Sequence, residues 1–301
     1  MSEGSLIMVT KHQTGLLLAA IATLGLGVAI TVSRFAYEGG SNGLTVATSR
    51  SILLVAALAI FCRVTKRELA ISPRDQRHMV GLGVLMGIGF FGNVGAVEYI
   101  EIGLAAILFF SFSPMIYVIY IVFLRESPGW IRALAILVAF IGVVIMIGIP
   151  SSPPDLRGVC LSMGAGIAMA WNVVWIQRRV AHMEPFVLLF HTAVIAAAML
   201  FVLLLLTSSL RFPTSASGWF GLSAVAILQS ISLPLWYIAL LRIGALHAGM
   251  ITNIQPIISI VAAYAIFGEV LGFWQIVGAG MILSAIFAMQ RPTSKSVSGR
   301  C

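Results

Sequence analysis

The chain has 301 residues, 60% of them hydrophobic and only 9% charged, with 18 Lys and Arg against 10 Asp and Glu and a mean hydropathy of +1.05. A soluble domain carries about 25% charged residues, so a soluble enzyme, a disordered chain and a secreted disulfide scaffold are excluded. Long unbroken apolar runs also exclude a β-barrel, whose strands alternate in polarity over short segments. What remains is an all-α integral membrane protein whose backbone is satisfied inside helices.

A crossing helix needs about 20 predominantly apolar residues. Ten runs qualify: 15–33, 43–62, 79–97, 104–124, 130–149, 158–177, 185–206, 219–241, 246–267 and 272–289. The first is longer than the apolar region of a signal peptide and leads straight into further spans, so it reads as a retained helix. The second carries Arg50, the only full charge deep in a span. A charge there is expensive and points to function. Three roles stay open for it, since it lies in the outer half of the span: snorkelling to the interface, pairing with Glu38, Glu98 or Glu101, or gating and binding a substrate carboxylate.

Span three is crowded with Gly81, Gly83, Gly87, Gly89, Gly92 and Gly95, which lets neighbouring helices approach closely. It also holds Asn93, a deep amide that needs another helix or a substrate as partner. Span four carries Ser111, Ser113 and Pro114 near its centre. Proline removes one intrahelical hydrogen bond and frees the carbonyl four residues earlier, here that of Phe110. Free carbonyls at mid-membrane are tolerated only against protein or a wet cavity.

After a polar, Pro-rich linker at 150–157, span six presents Trp171 and Trp175 four apart on one face, with Asn172 beside them. They read as an aromatic wall for an apolar or aromatic group, or equally as core packing. His191 in span seven reads as a packing residue. Span eight offers Gln229, Ser230, Pro234, Trp236 and Tyr237, and span nine Thr252, Asn253, Gln255 and Pro256. The cavity is therefore expected among spans three, four, six, eight and nine.

Lys and Arg fix the expected orientation. With the N-terminus in the cytoplasm, 14 of the 18 fall on the cytoplasmic side, three on the other, and Arg50 inside a span. Both termini are then cytoplasmic in a bacterial inner membrane. The pI of 9.9 reflects these anchoring charges, which form no continuous stripe, so no nucleic-acid partner is expected.

The two halves repeat. LFFSFSPMIYVIYIVFLRES around Pro114 aligns with MITNIQPIISIVAAYAIFGEV around Pro256, placing Ser111 on Asn253 and Ser113 on Gln255. Glu126 and Glu269 follow with a one-residue shift, and Ile102-Gly103 matches Ile243-Gly244. Five spans per copy put the second copy in the opposite sense, the inverted-repeat architecture used by many secondary transporters.

These features, with GLTVATSRSILLVAALAIF in span two and FGEVLGFWQIVGAGMIL across the last loop, resemble the EamA-type transporters of the drug/metabolite transporter superfamily. Within it the chain is similar to YddG-like amino-acid exporters. The resemblance implies ten transmembrane helices in two inverted five-helix EamA repeats, 1–149 and 158–290, with a cytoplasmic tail at 291–301. It also implies a cavity at the repeat interface and alternating-access export of small metabolites such as amino acids. The chain departs from the pattern at Arg125, where the family has Gly before Glu, and at Ala285, where Gly142 would lead one to expect Gly.

No Asp or Glu lies in the core of any span, which demotes the alternative, an exporter of drug-like or aromatic cations. No phosphate-binding glycine loop is present, so neither ATP nor another cofactor is expected. Scattered His12, His78, His182, His191 and His247 have no metal-ligand spacing, and no catalytic constellation for a lipid-modifying enzyme stands out. The expected partners are a small-molecule substrate and membrane lipid, with the protein a monomer or homodimer.

Overall fold

Helices and no strands are found among the described residues of the computed structural model, which are 3–96, 99–100, 102–126, 129–148, 153–268 and 272–290. In chain order they are α1 (Glu3–Glu38), α2 (Gly43–Val64), α3 (Pro73–Gly95), α4 (Ile102–Phe110), α5 (Phe112–Val122) and α6 (Trp130–Ile147). The rest are α7 (Leu156–Arg179), α8 (Pro185–Thr207), α9 (Ala216–Thr252), α10 (Gln255–Phe267) and α11 (Phe273–Gln290). Six apolar stretches among them are long enough to cross a membrane, and Trp130–Met146, Gln255–Phe267 and Phe273–Ala288 are shorter apolar helices. This is a multi-pass membrane protein.

Two expected spans are interrupted. The run 104–124 breaks at Ser111, between α4 and α5, and the run 246–267 breaks at Asn253 and Ile254, between α9 and α10. Each break lies two or three residues before a proline. Pro114 and Pro256 lack the N–H that would have served Phe110 and Thr252. At the second break Asn253 N and Ile254 N turn to the carbonyls of Met250 and Ile251, three residues back. The boundary expected between 241 and 246 is a bend inside α9, at Gly244 with φ 81°.

Helix starts follow local chemistry. Asn42 caps α2 by accepting from Thr45 N at 2.8 Å, and its Nδ2 donates to Ser209 O at 2.5 Å. Asp155 caps α7 through Arg157 N at 2.8 Å. Glu184 caps α8 through Phe186 N and Val187 N, with Pro185 in the first turn. Such caps satisfy donors that have no intrahelical partner.

Packing joins the two halves of the chain. α1 lies along α9 and α10, α2 along α8 and α9, and α3 along α7 and α8, while α6 pairs with α11. The α6–α11 contact is backbone-close: a Cβ on Gly142 would sit 2.8 Å from the Gly278 carbonyl oxygen. In a membrane, small residues at such seams gain van der Waals contact that larger ones would block. Large apolar side chains such as Phe123, Trp130, Phe220 and Phe287 stay exposed on the outside of the bundle, where lipid would meet them.

Candidate functional site: a one-sided cavity

A cavity of about 640 Å³ runs from the ends of α1 and α10, at Glu38 and Phe267, down to Asn172, Trp236, Tyr237 and Thr252. The helix breaks shape its wall. Phe110 and Phe112 flank the α4–α5 break and Thr252 and Gln255 flank the α9–α10 break, and all four line the cavity. Most of the remaining lining is apolar, with Phe90 and Phe109 among it.

The deep polar groups are held in defined positions. Trp236 Nε1 donates to Thr252 Oγ1 at 3.0 Å, and that hydroxyl donates to Ala248 O at 2.9 Å. Asn172 Nδ2 donates to Leu82 O at 2.8 Å, which fixes α7 against α3. Thr31 Oγ1 donates to Ser259 O at 2.9 Å and ties α1 to α10 on the opposite wall. Gln229 Nε2 is buried with no hydrogen-bond partner among the described residues.

Six of the residues singled out from the sequence as substrate-binding line this cavity: Asn172, Gln229, Trp236, Tyr237, Thr252 and Gln255. Arg50 lines it as well. Others stand behind the wall. Ser113 Oγ reaches Gly249 O at 2.8 Å and Asn253 Oδ1 at 3.0 Å, so it stitches the two breaks together. Ser111 Oγ donates to Leu108 O at 2.5 Å, back into α4. Pro114 and Pro256 create the breaks without lining the space.

The aromatic pair of α7 faces elsewhere. Trp171 packs edge-on against Phe123 at 5.0 Å, and Trp175 Nε1 donates to His78 Nδ1 at 3.1 Å. The helical stripe was read correctly as one face, but that face packs on α3 and α5 while Asn172, a hundred degrees around, turns inward. The pairing of Arg50 with Glu38 is also corrected: Glu38 accepts from Arg34 Nε at 2.7 Å, one turn earlier on its own helix. Glu98 and Glu101 lie outside the described residues, as does the side chain of Asn93.

The cavity expected among spans three, four, six, eight and nine left out α1, of which only Glu38 entered, as a partner for Arg50. Thr31, Arg34 and Glu38 recur at three- and four-residue spacing along its last turns, with Tyr37 beside Glu38, and form one wall. That spacing was visible in the sequence, but a polar stripe at a span end also fits an interfacial anchor.

The other end of the bundle carries ion pairs between helices. Arg67 pairs with Glu184 and also lies over the Phe186 ring at 4.6 Å. Arg178 pairs with Glu126 and lies over Tyr120 at 5.1 Å. His182 meets Asp75 at 3.4 Å. The Asp75 carboxyl is held below the ordinary carboxylate range, first by the Ser72 hydroxyl and then by His182. Between these pairs, Gln177 Oε1 accepts from Tyr120 OH at 2.9 Å and from Ala245 N at 2.6 Å, joining α5 to the bend in α9. Only a glycine suits that bend: a Cβ at Gly244 would come within 2.9 Å of Gln177 Nε2.

The profile of the EamA-like transporter family matches this chain twice, over residues 13–148 and 156–290. An uncharacterized transporter of Archaeoglobus fulgidus is 25% identical over 274 residues, covering 88% of this chain and 94% of its own length. A second from the same organism is 22% identical, covering 87% and 92%. The uncharacterized transporter YyaM of Bacillus subtilis is 26% identical over 177 residues, 55% of this chain and 56% of its own. A solved crystal structure superposes with a TM-score of 0.78 at 14% identity, covering 92% of this chain and 97% of that one, a likeness of fold.

Proposed function

The chain belongs to the EamA-like transporter family, and from that premise we propose that it is a secondary transporter moving a small polar or amphipathic metabolite by alternating access, with amino-acid export the first choice. The observation that carries this reading is the one-sided cavity: lined at one end by the exposed Arg34 and Glu38 of α1, floored by Trp236 and Tyr237 in the last third of their span, with ion pairs beyond that floor. A scaffold has no need of such a space, whereas a carrier needs a site reachable from one side at a time.

The architecture proposed with it is ten transmembrane helices in two inverted five-helix repeats, 1–149 and 158–290. In this count α4 and α5 are one broken span, and the part of α9 beyond Gly244 forms another with α10. The twofold family match and the paired breaks before Pro114 and Pro256 support the duplication. With both termini in the cytoplasm of a bacterial inner membrane, the cavity faces outward and the ion-paired end faces inward. The structure then represents the outward-open member of the cycle.

Purified protein in liposomes tests this. Counterflow of a labelled amino acid against its unlabelled form is the expected result. Absence of flux across a broad metabolite panel, with the protein correctly inserted, overturns it.

A further inference from the structure

The cavity contains a cation that no described acid balances. Arg34, Glu38 and Arg50 are the charged side chains on its wall among the described residues. Glu38 is occupied by Arg34, one helical turn away. Arg50 has no ion pair among the described residues. Its guanidinium lies over the Phe90 ring, 4.9 Å from the centroid, and its Nε is buried without a partner.

Arg50 stands seven residues into α2, about 11 Å along the helix from its start. That is too deep for easy escape to the interface. A guanidinium carries five donors and no acceptor. Held in a low-dielectric site it requires an anion, and an aromatic face is only a partial substitute. Gln229 adds a second unmet demand in the same space, since its Nε2 is a buried donor with no acceptor. The remaining wall at Phe109, Phe110 and Leu233 offers apolar surface.

We infer that Arg50 is the anchor for a substrate oxyanion, and that the cavity takes an organic monoanion, a carboxylate on an apolar or aromatic body. A single unbalanced cation matches a single negative charge; a phosphate dianion would leave one charge uncovered. Guanidinium and carboxylate also pair in a planar, bidentate geometry. The inference rests on the cavity being the transport site and names the chemistry of its substrate.

The test uses the full-length protein in detergent and follows its melting temperature on titration, because a ligand that prefers the native state raises it. The probes are 3-phenylpropionate, L-phenylalanine, the primary amide of each, and phenylphosphonate. The acids are expected to raise the melting temperature and the amides are not. Arg50→Gln should weaken apparent acid binding about tenfold or more, the loss of a charge-assisted contact, with Arg50→Lys intermediate. Stabilisation by 3-phenylpropionate alone points to organic acids, and by phenylalanine as well to amino acids; both outcomes support the anchor.

Three results overturn it: no acid stabilises the wild type, the amides act as well as the acids, or Arg50→Gln binds the acids unchanged. Should Arg50→Gln not fold, the acid-against-amide comparison on wild type and Arg50→Lys decides alone. Acid binding through Arg50 without liposome flux would sink the transport reading and leave this one standing. Flux of solutes indifferent to Arg50 would do the reverse.

Discussion

The hydroxyl of Ser113 lies 3.0 Å from the side-chain oxygen of Asn253, 140 positions further along the chain. One hydroxyl proton serves two acceptors there, since Ser113 Oγ also reaches Gly249 O at 2.8 Å. Asn253 Nδ2 is buried with no partner. With the amide turned over, Nδ2 would donate to Ser113 Oγ and leave the hydroxyl proton to Gly249 O. Either way, the two interrupted helices meet through a polar joint behind the cavity wall.

That joint makes Asn253 a positioning residue. Asn253→Ala leaves Ser113 its bond to Gly249 and should cost about 1 kcal/mol, whereas Ser113→Ala strands two groups and should cost about 1–3 kcal/mol. The double variant should lose less than the sum. Melting curves of the four proteins check this, and strict additivity would show that the side chains do not act together.

At the ion-paired end, Gly244→Ala forces a side chain onto a φ of 81° and into Gln177. Backbone in this region is close to glycine-only and costs about 1–3 kcal/mol for other residues. A fall in melting temperature of several degrees is expected. Gln177→Ala should relieve the clash in part, so that the double variant loses less than the two changes separately. An unchanged melting temperature for Gly244→Ala would argue against the bend.

The Arg67–Glu184 pair is partly exposed and is worth at most about 1 kcal/mol. Glu184→Gln keeps an oxygen for the α8 cap and removes the charge. If the pair helps hold this end shut, buried Cys62 at the end of α2 should react with a thiol reagent a few-fold faster in the variant. The assay needs Cys160→Ser and Cys301→Ser in both proteins. Equal labelling rates would remove the pair from any gating role.

Acid should loosen the start of α3. The Asp75 carboxyl is depressed below its unfolded value by Ser72 and His182. Its stabilising contribution is therefore complete above the ordinary carboxylate range and lost as pH falls through the depressed value. Amide protection in the first turns of α3, corrected for the intrinsic slowing of exchange in acid, should fall from pH 6 to pH 3 in wild type and change less in Asp75→Asn. The same acid response in both would assign the loosening to other groups.

Trp236 and Trp171 separate cavity from packing. Trp236→Phe loses the bond to Thr252 on the cavity floor and should raise KM several-fold at similar expression. Trp171→Phe, against Phe123 and off the cavity, should leave KM unchanged. A larger KM effect at Trp171 would relocate the site.

Membrane class, helical content and the two deleted backbone bonds were legible in the chain. Composition alone forbids a water-facing fold, and proline deletes the same hydrogen bond wherever it sits in a helix. Asn172, Gln229, Trp236, Tyr237, Thr252 and Gln255 were legible too, because polar or amphipathic groups deep in apolar runs must find partners. Which of their neighbours share the cavity was not. Trp171 and Trp175 pack on Phe123 and His78 away from the cavity, and the α1 wall carrying Tyr37 and Glu38 lay outside the expected lining.

The sequence by itself determined that this protein lies in lipid as helices and that Pro114 and Pro256 each delete a backbone bond, since solvation and backbone bonding are properties of each segment alone; that the chain breaks at those two prolines while α9 runs on through Pro234 is a property of the folded protein. Only the tertiary structure decided that the cavity runs from the Glu38 end to Trp236 and Tyr237, and that Arg50 is left without an acid among the described residues. Those facts depend on how each helix is rotated against its neighbours. That rotation is settled by close packing of many side chains at once, and no single span encodes it.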